Sequence, residues 1–195
     1  MHQKKFIFSE IEGKEFAKIS KDKNPIHIDN IYGYNSFYGY TVVHGVFVIL
    51  KFLKILNINS TNLYLKITFL KGFEYNKLIK VKKNNKGNQN LFQLIQENEI
   101  RAEIIINHID KKSEKKINLK YIKKTSYILS RYKINKLKKF NYDSDLMITL
   151  SYLSYYVGMI NPGINSIISQ IEIKNFNKIK NKNKNKLENF SSSID

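Results

Sequence analysis

The stretch FAKISKDKNPIHIDNIYGYNSFYGYTVVHGVFVILKFLKIL, Phe16 to Leu56, sets residues capable of proton transfer directly ahead of the longest apolar helix candidate in the chain. Asp22 and His27 flank Asn24-Pro25, a dipeptide that favours a turn and biases the residue before the proline away from the α region. Five positions apart on a helix, two side chains lie on different faces; across an Asn-Pro turn they can converge on one point. His44-Gly45 comes next, and Val46 to Leu56 then runs on with only Lys51 and Lys54 interrupting, so a glycine stands at the entrance of a helix about to be buried.

On either side of this stretch the pattern predicts a helix leading in and strands leading out. Lys4 to Ser9 has the make-up of a short strand, and Ile11 to Ile19 that of a short helix, with Phe16 and Ile19 on one face. Between His27 and His44, Gly33, Gly39 and the tyrosines 32, 34, 38 and 40 describe an irregular aromatic segment. After the apolar helix come four strand candidates, Asn62 to Phe73, Lys77 to Lys83, Leu91 to Gln96 and Arg101 to His108. Asn84 to Asn88 is a turn by composition, and Glu97-Asn98-Glu99 is a candidate for another. A helix followed by strands joined by short turns predicts an α+β fold with an antiparallel sheet.

Ile109 to Lys139 is lysine-rich, has no glycine or proline and shows only interrupted periodicity, the composition of a linker with room for a strand at Ile117 to Ile122. Leu146 to Ile171 carries no charge, but Asn161-Pro162-Gly163 breaks it short of the ~20 apolar residues a membrane span needs. A helix from Asp145 to Met159, capped by Asp143, Ser144 and Asp145, a Pro-Gly turn and a strand from Asn165 to Lys174 fit it better. From Asn175 onward the chain is a polar low-complexity tail.

At 195 residues the chain has length for a sizeable core, and with 42% hydrophobic and 13% aromatic residues it has the composition for one. Cysteine is absent, which excludes disulfides, thiolate metal sites and thiol nucleophiles; four scattered histidines argue against zinc. MHQKKFIFSE has no apolar run of the kind a secretory signal needs, which leads us to expect a cytoplasmic protein. A net charge of +18 attracts phosphate. Yet the lysines are spread over every segment together with asparagine and isoleucine, and the base-reading residue arginine occurs only at Arg101 and Arg131, so we expect a solvated basic surface and no nucleic-acid partner.

Asp22-x-Asn24-Pro25-x-His27-x-Asp29, followed by Gly39 and by Val43-His44-Gly45 opening an apolar helix, resembles the MaoC-like (R)-specific enoyl thioester hydratases and dehydratases over roughly a quarter of the chain. Val46 departs from the methionine usual there. The resemblance implies a hotdog fold, an antiparallel sheet wrapped around a central helix, with Asp22 and His27 as the catalytic pair and the Gly45 N–H as the donor to the thioester carbonyl. His44 and Asn24 are grouped with Gly45 on the oxyanion and substrate side, His44 chiefly to order the helix entrance. The tyrosine-rich segment would overhang the acyl pocket, where its rings either line the pocket or simply pack.

The same resemblance suggests a domain plan: residues 1–110 a hotdog, 111–140 a basic linker or strand, 141–175 a partial second hotdog without its own Asp-x-Asn-Pro-x-His, and 176–195 a disordered tail. The activity implied is hydration of 2-enoyl thioesters or dehydration of (R)-3-hydroxyacyl thioesters of coenzyme A or acyl carrier protein, with no metal or cofactor, no membrane partner and a homodimeric assembly. The alternative is an inactive acyl-thioester-binding subunit of a hotdog heteromer. Association has a further ground, since Val157, Ile160, Ile167 and Ile171 would otherwise expose apolar surface beside an unfinished sheet edge.

Overall fold

Strand residues alternate in burial wherever one face meets a core, and Leu63, Leu65 and Ile67 are buried while Tyr64, Lys66 and Thr68 between them are not. A computed structural model of the chain describes residues 4–58, 63–86, 89–108, 144–164 and 166–176. The elements run β1 (Lys5–Phe6), α1 (Glu10–Ser20), a 3-10 turn (Pro25–His27), α2 (Asn30–Tyr34), α3 (Gly45–Leu56), β2 (Leu63–Phe69), β3 (Ile79–Lys86), β4 (Gln89–Gln96), β5 (Glu99–His108), α4 (Ser144–Met159) and β6 (Gln170–Phe176). The strands form one six-stranded sheet in the order β1-β3-β4-β5-β2-β6, each neighbouring pair antiparallel.

Helix α3 is the centre of the core. Val46, Phe47, Val48, Ile49, Leu50, Phe52 and Leu53 are all buried, so the helix is enclosed on nearly every side. The apolar faces of the strands meet it: Ile79 and Val81 from β3, Phe92 and Leu94 from β4, Ala102, Ile104 and Ile106 from β5, and Ile171 and Ile173 from β6 belong to the same buried cluster. This is the α+β hotdog architecture expected from the sequence. Of the two lysines that interrupt α3, Lys51 ties the helix to what precedes it. Its Nζ donates to the Ile7 carbonyl at 2.6 Å and to Glu12 at 2.8 Å, and lies 4.8 Å from the Phe8 ring centroid. Glu12 also closes a capping box with Ser9 at the start of α1.

Several boundaries differ from the sequence reading: β1 covers only Lys5–Phe6 of the expected Lys4 to Ser9, β2 ends at Phe69 and not Phe73, and the segment read as irregular holds α2. Asn84 and Asn85 belong to β3 and not to a turn, paired with Leu91 and Asn90, because the β3–β4 ladder continues to Lys86 and Gln89. Strand β6 begins at Gln170, five residues later than expected, because Ser166 folds back to give its hydroxyl to the Val157 carbonyl near the end of α4 at 2.6 Å. The turn at Glu97-Asn98 is as expected, with left-handed φ values of 51° and 64°.

The order of α4 and β6 repeats that of α3 and β2, and β6 extends the same sheet by pairing with β2, Ile67 opposite Ile171 and Leu65 opposite Ile173. That pairing corrects one expectation about exposed surface. Ile171 is buried against the core and Val157 is half-buried, whereas Ile160 and Ile167 are exposed. The expected linker and strand in 109–143, the capping side chains Asp143, Ser144 and Asp145, and the tail 177–195 lie outside what the structure describes. Among the described residues no helix is long and apolar enough to cross a membrane.

Candidate functional site

The Asp22–His27 segment leaves α1 through Lys21 in the left-handed conformation, so the chain turns sharply as the helix ends. Asn24 accepts from the Ile26 N–H, Pro25 opens the 3-10 turn, and the turn delivers His27 back beside Asp22. One carboxylate oxygen of Asp22 and one ring nitrogen from each of His27 and His44 lie within 4.8 Å of one another, and all three residues are buried.

Hydrogen bonds settle which nitrogen of each ring carries the proton, because a carbonyl oxygen can only accept. His27 Nδ1–H donates to the Val42 carbonyl at 2.8 Å, which leaves Nε2 bare as a base. His44 Nε2–H donates to the Asp22 carbonyl at 3.2 Å, which leaves its Nδ1 bare, and among the described residues no group bonds to that atom. Burial lowers the pKa of His27 against the opposing pull of Asp22, and burial together with His27 holds His44 well below the ordinary range, so both rings are neutral at neutral pH. The Val42 carbonyl orients the His27 ring, and Asp22 acts on that ring through its charge.

Two imidazoles and a carboxylate have the composition of a metal donor set. The rings of His27 and His44, however, stack with centroids 4.0 Å apart and planes 29° from parallel. A ring nitrogen's lone pair lies in the ring plane, so rings stacked face to face do not aim at one ion. His44 packs behind His27, fully buried, with its other face against Phe16.

The Asp22 carboxylate is seated by a helix more than a hundred residues away in sequence. Ser154 on α4 donates its hydroxyl to Asp22 Oδ2 at 2.6 Å, while the Asn24 N–H reaches Oδ1 at 3.2 Å. One turn further along α4, Gly158 lies flush against the same carboxylate: a Cβ there would stand 2.8 Å from Asp22 Cγ and 2.9 Å from Oδ2. Ser154 and Gly158 were missed in the sequence; the available signal was their i, i+4 spacing, two small residues on one face of an uncharged helix. Beneath the turn, the Tyr75 hydroxyl donates to the His27 carbonyl at 3.3 Å.

A cavity of about 80 Å³ adjoins this cluster, lined by Asp22, His27 and Gly45 and closed from the α4 side by Ser154, Val157 and Gly158. Gly45 is the first residue of α3, so its N–H has no acceptor within the helix and stands at the positive end of the helix dipole. Of the residues grouped with it on the substrate side, His44 and Asn24 do not line the cavity. Asn24 is fully buried and spends its amide on the Ser166 carbonyl at 3.0 Å, which ties the turn to the segment after α4.

No family model matches the sequence, and no curated protein does. Solved structures of similar fold include an (R)-hydratase from A. caviae involved in PHA biosynthesis, 14% identical over 54% of this chain and 90% of that one, with a TM-score of 0.43. Another is the R-hydratase PhaJ1 from Pseudomonas aeruginosa in its unliganded form, 14% identical over 61% of this chain and 90% of that one, TM-score 0.42. A MaoC-like dehydratase is 9% identical over 54% of this chain and 39% of its own length, TM-score 0.40. At identities of 9–14% and TM-scores of 0.40–0.43, these likenesses speak to no activity of this chain.

Proposed function

We propose that the chain adds water to 2-enoyl thioesters, or removes it from (R)-3-hydroxyacyl thioesters, carried on coenzyme A or an acyl carrier protein. The observation that carries this reading is the convergence of Asp22, His27 and Gly45 on one small cavity. A water held between Asp22 and His27 gives a proton to His27 Nε2 as its oxygen bonds to the β-carbon. The electron pair of the double bond moves toward the thioester, and charge gathers on the thioester oxygen, where the Gly45 N–H receives it. A backbone donor aimed at such an oxyanion is worth ~3–4 kcal/mol. The imidazolium, stabilised by Asp22, then returns the proton to the α-carbon. The two hydrogens and the oxygen of water end on product, and both residues regain their starting state. A neutral histidine that can take and return a proton suits both halves of the cycle.

The test is loss of the conjugated-thioester absorbance when folded protein meets crotonyl-coenzyme A or the same acyl group on a carrier protein. Turnover supports the reading. Its absence on both carriers and at every chain length replaces it with the acyl-binding subunit. We propose the cytoplasm as the compartment. We also propose a homodimer, because β6 is an outer strand of the sheet among the described residues and Ile160 and Ile164, in the segment leading to it, are 44% and 58% exposed. A monomer by light scattering at micromolar concentration retires that part.

A further inference from the structure

We propose that Tyr38 is the partition that sets the acyl chain length this site accepts, an inference that rests on the hydro-lyase reading above. The cavity beside Asp22 and His27 is small: at ~10–15 Å³ for each water-sized centre, its volume of about 80 Å³ holds roughly five to eight such centres. A short enoyl group with its thioester oxygen and sulfur fits a space of that order. Next to it lies a broader groove of about 720 Å³ along α2 and the segment after it. Two residues line both spaces, Tyr38 and Ile167, and they form the wall between them.

The Tyr38 ring is held in that wall from below. A Cβ on Gly72 would lie 2.9 Å from Tyr38 Cδ1 and 3.0 Å from Cε1, so the ring rests directly on the backbone of a glycine. Phe37 meets it edge-on at 5.7 Å and Tyr40 stands 6.1 Å away. Tyr40 is itself fixed, its hydroxyl donating to the Gly72 carbonyl at 2.9 Å and accepting from Arg101 at 2.9 Å.

The chemistry beyond the wall suits an alkyl tail. Ile26, Ile31, Tyr32 and Phe37 line the groove, and its single charged residue, Asp29, already accepts from the Tyr32 N–H at 2.9 Å. No cation lines it, so nothing there recognises the phosphates of coenzyme A or of a phosphopantetheine arm. The cation on these walls is Lys71, in the lining of the catalytic cavity. Ile31 and Phe37 are 77% and 99% exposed, an apolar rim of the kind that marks a binding surface. The carrier therefore enters from the Lys71 side, the acyl tail points at Tyr38, and the Tyr38 ring stands in the way of a long tail.

The experiment compares kcat/KM for trans-2-enoyl thioesters of four, eight and twelve carbons, on coenzyme A and on acyl carrier protein, in wild type, Tyr38→Ala, Tyr38→Phe and Ile167→Ala. Wild type favours four carbons. Tyr38→Ala joins the cavity to the groove and raises the eight-to-four ratio at least about tenfold, the low end of what one methylene is worth in an apolar pocket. Tyr38→Phe, which keeps the ring, keeps the wild-type ratio. Ile167→Ala opens the same wall from the other side and moves the ratio in the same direction, which decides the matter if Tyr38→Ala does not fold. A merely structural role would lower all lengths alike. Wild type that accepts twelve carbons as well as four, or an unchanged ratio in the folded alanine variants, overturns the inference while the hydro-lyase reading stands; no turnover at any length removes both.

Discussion

Replacing Gly158 by alanine separates the seating of Asp22 from the stability of the helix that provides it. In a helix, glycine to alanine ordinarily stabilises by ~0.5–1 kcal/mol, because glycine has more backbone freedom to lose. Here the added methyl would stand 2.8 Å from Asp22 Cγ. Carbon atoms in ordinary contact sit ~3.5–4.0 Å apart, so the carboxylate or the helix must retreat by about 1 Å. The retreat acts on the one side chain that Ser154 holds at 2.6 Å and that faces His27 across the cavity. A misplacement of about 1 Å at a reacting group can cost ~10²-fold in rate, or about 2.7 kcal/mol of barrier. Gly158→Ala is therefore expected to remain helical and folded by circular dichroism while kcat/KM for crotonyl-coenzyme A falls about a hundredfold. A folded variant with turnover within about threefold of wild type would refute the placement of α4 against the Asp22 carboxylate.

Asp22→Asn and His27→Ala each remove a proton-handling group and are expected to lower turnover by ~10²–10⁴-fold with the circular dichroism spectrum retained; near-normal turnover in either variant ends the site assignment. Ser154→Ala removes a buried hydrogen bond to a carboxylate and should destabilise by ~1.5–3 kcal/mol in urea titration, with turnover reduced alongside; an unchanged midpoint would mean that Asp22 finds another donor. Burial holds folded His27 and His44 against protonation while the unfolded chain takes up protons near the ordinary histidine value of about 6.5, so the unfolded state binds more protons below that pH. Stability should accordingly hold above pH 6.5 and fall as pH drops below it, by up to ~1.4 kcal/mol per pH unit for each histidine, until the lowered folded pKa is reached. A urea midpoint that stays flat from pH 7 to about 5.5 would contradict the burial of the pair. Turnover, which needs neutral His27, should persist to lower pH than an exposed histidine would allow.

Much of this molecule follows from short-range pattern. Asp22 and His27 could be paired on paper because an Asn-Pro turn folds five residues back on themselves, and α3 could be placed because an apolar run behind a glycine has nowhere to go but the core. The strand alternation Leu63, Leu65, Ile67 set the face that meets that helix. The asparagines before Gly87 misled, since composition marks a turn without marking how far a ladder reaches along its arms before the chain reverses.

What only the tertiary structure decided lies in contacts between residues far apart in sequence. Ser154 and Gly158 reach Asp22 across more than a hundred residues, Val42 fixes the His27 tautomer, and Tyr38 closes a cavity whose other wall is the segment after α4. Asn24 and His44 stand inside the motif, yet they turn away from the cavity to bond backbone carbonyls, because each is buried with a polar atom that burial obliges to find a partner. Spacing along the chain reports which residues a turn or a helix face can bring together. It carries no record of which distant helix will press its small residues against a carboxylate, since that is settled when α3, α4 and the sheet pack around one core.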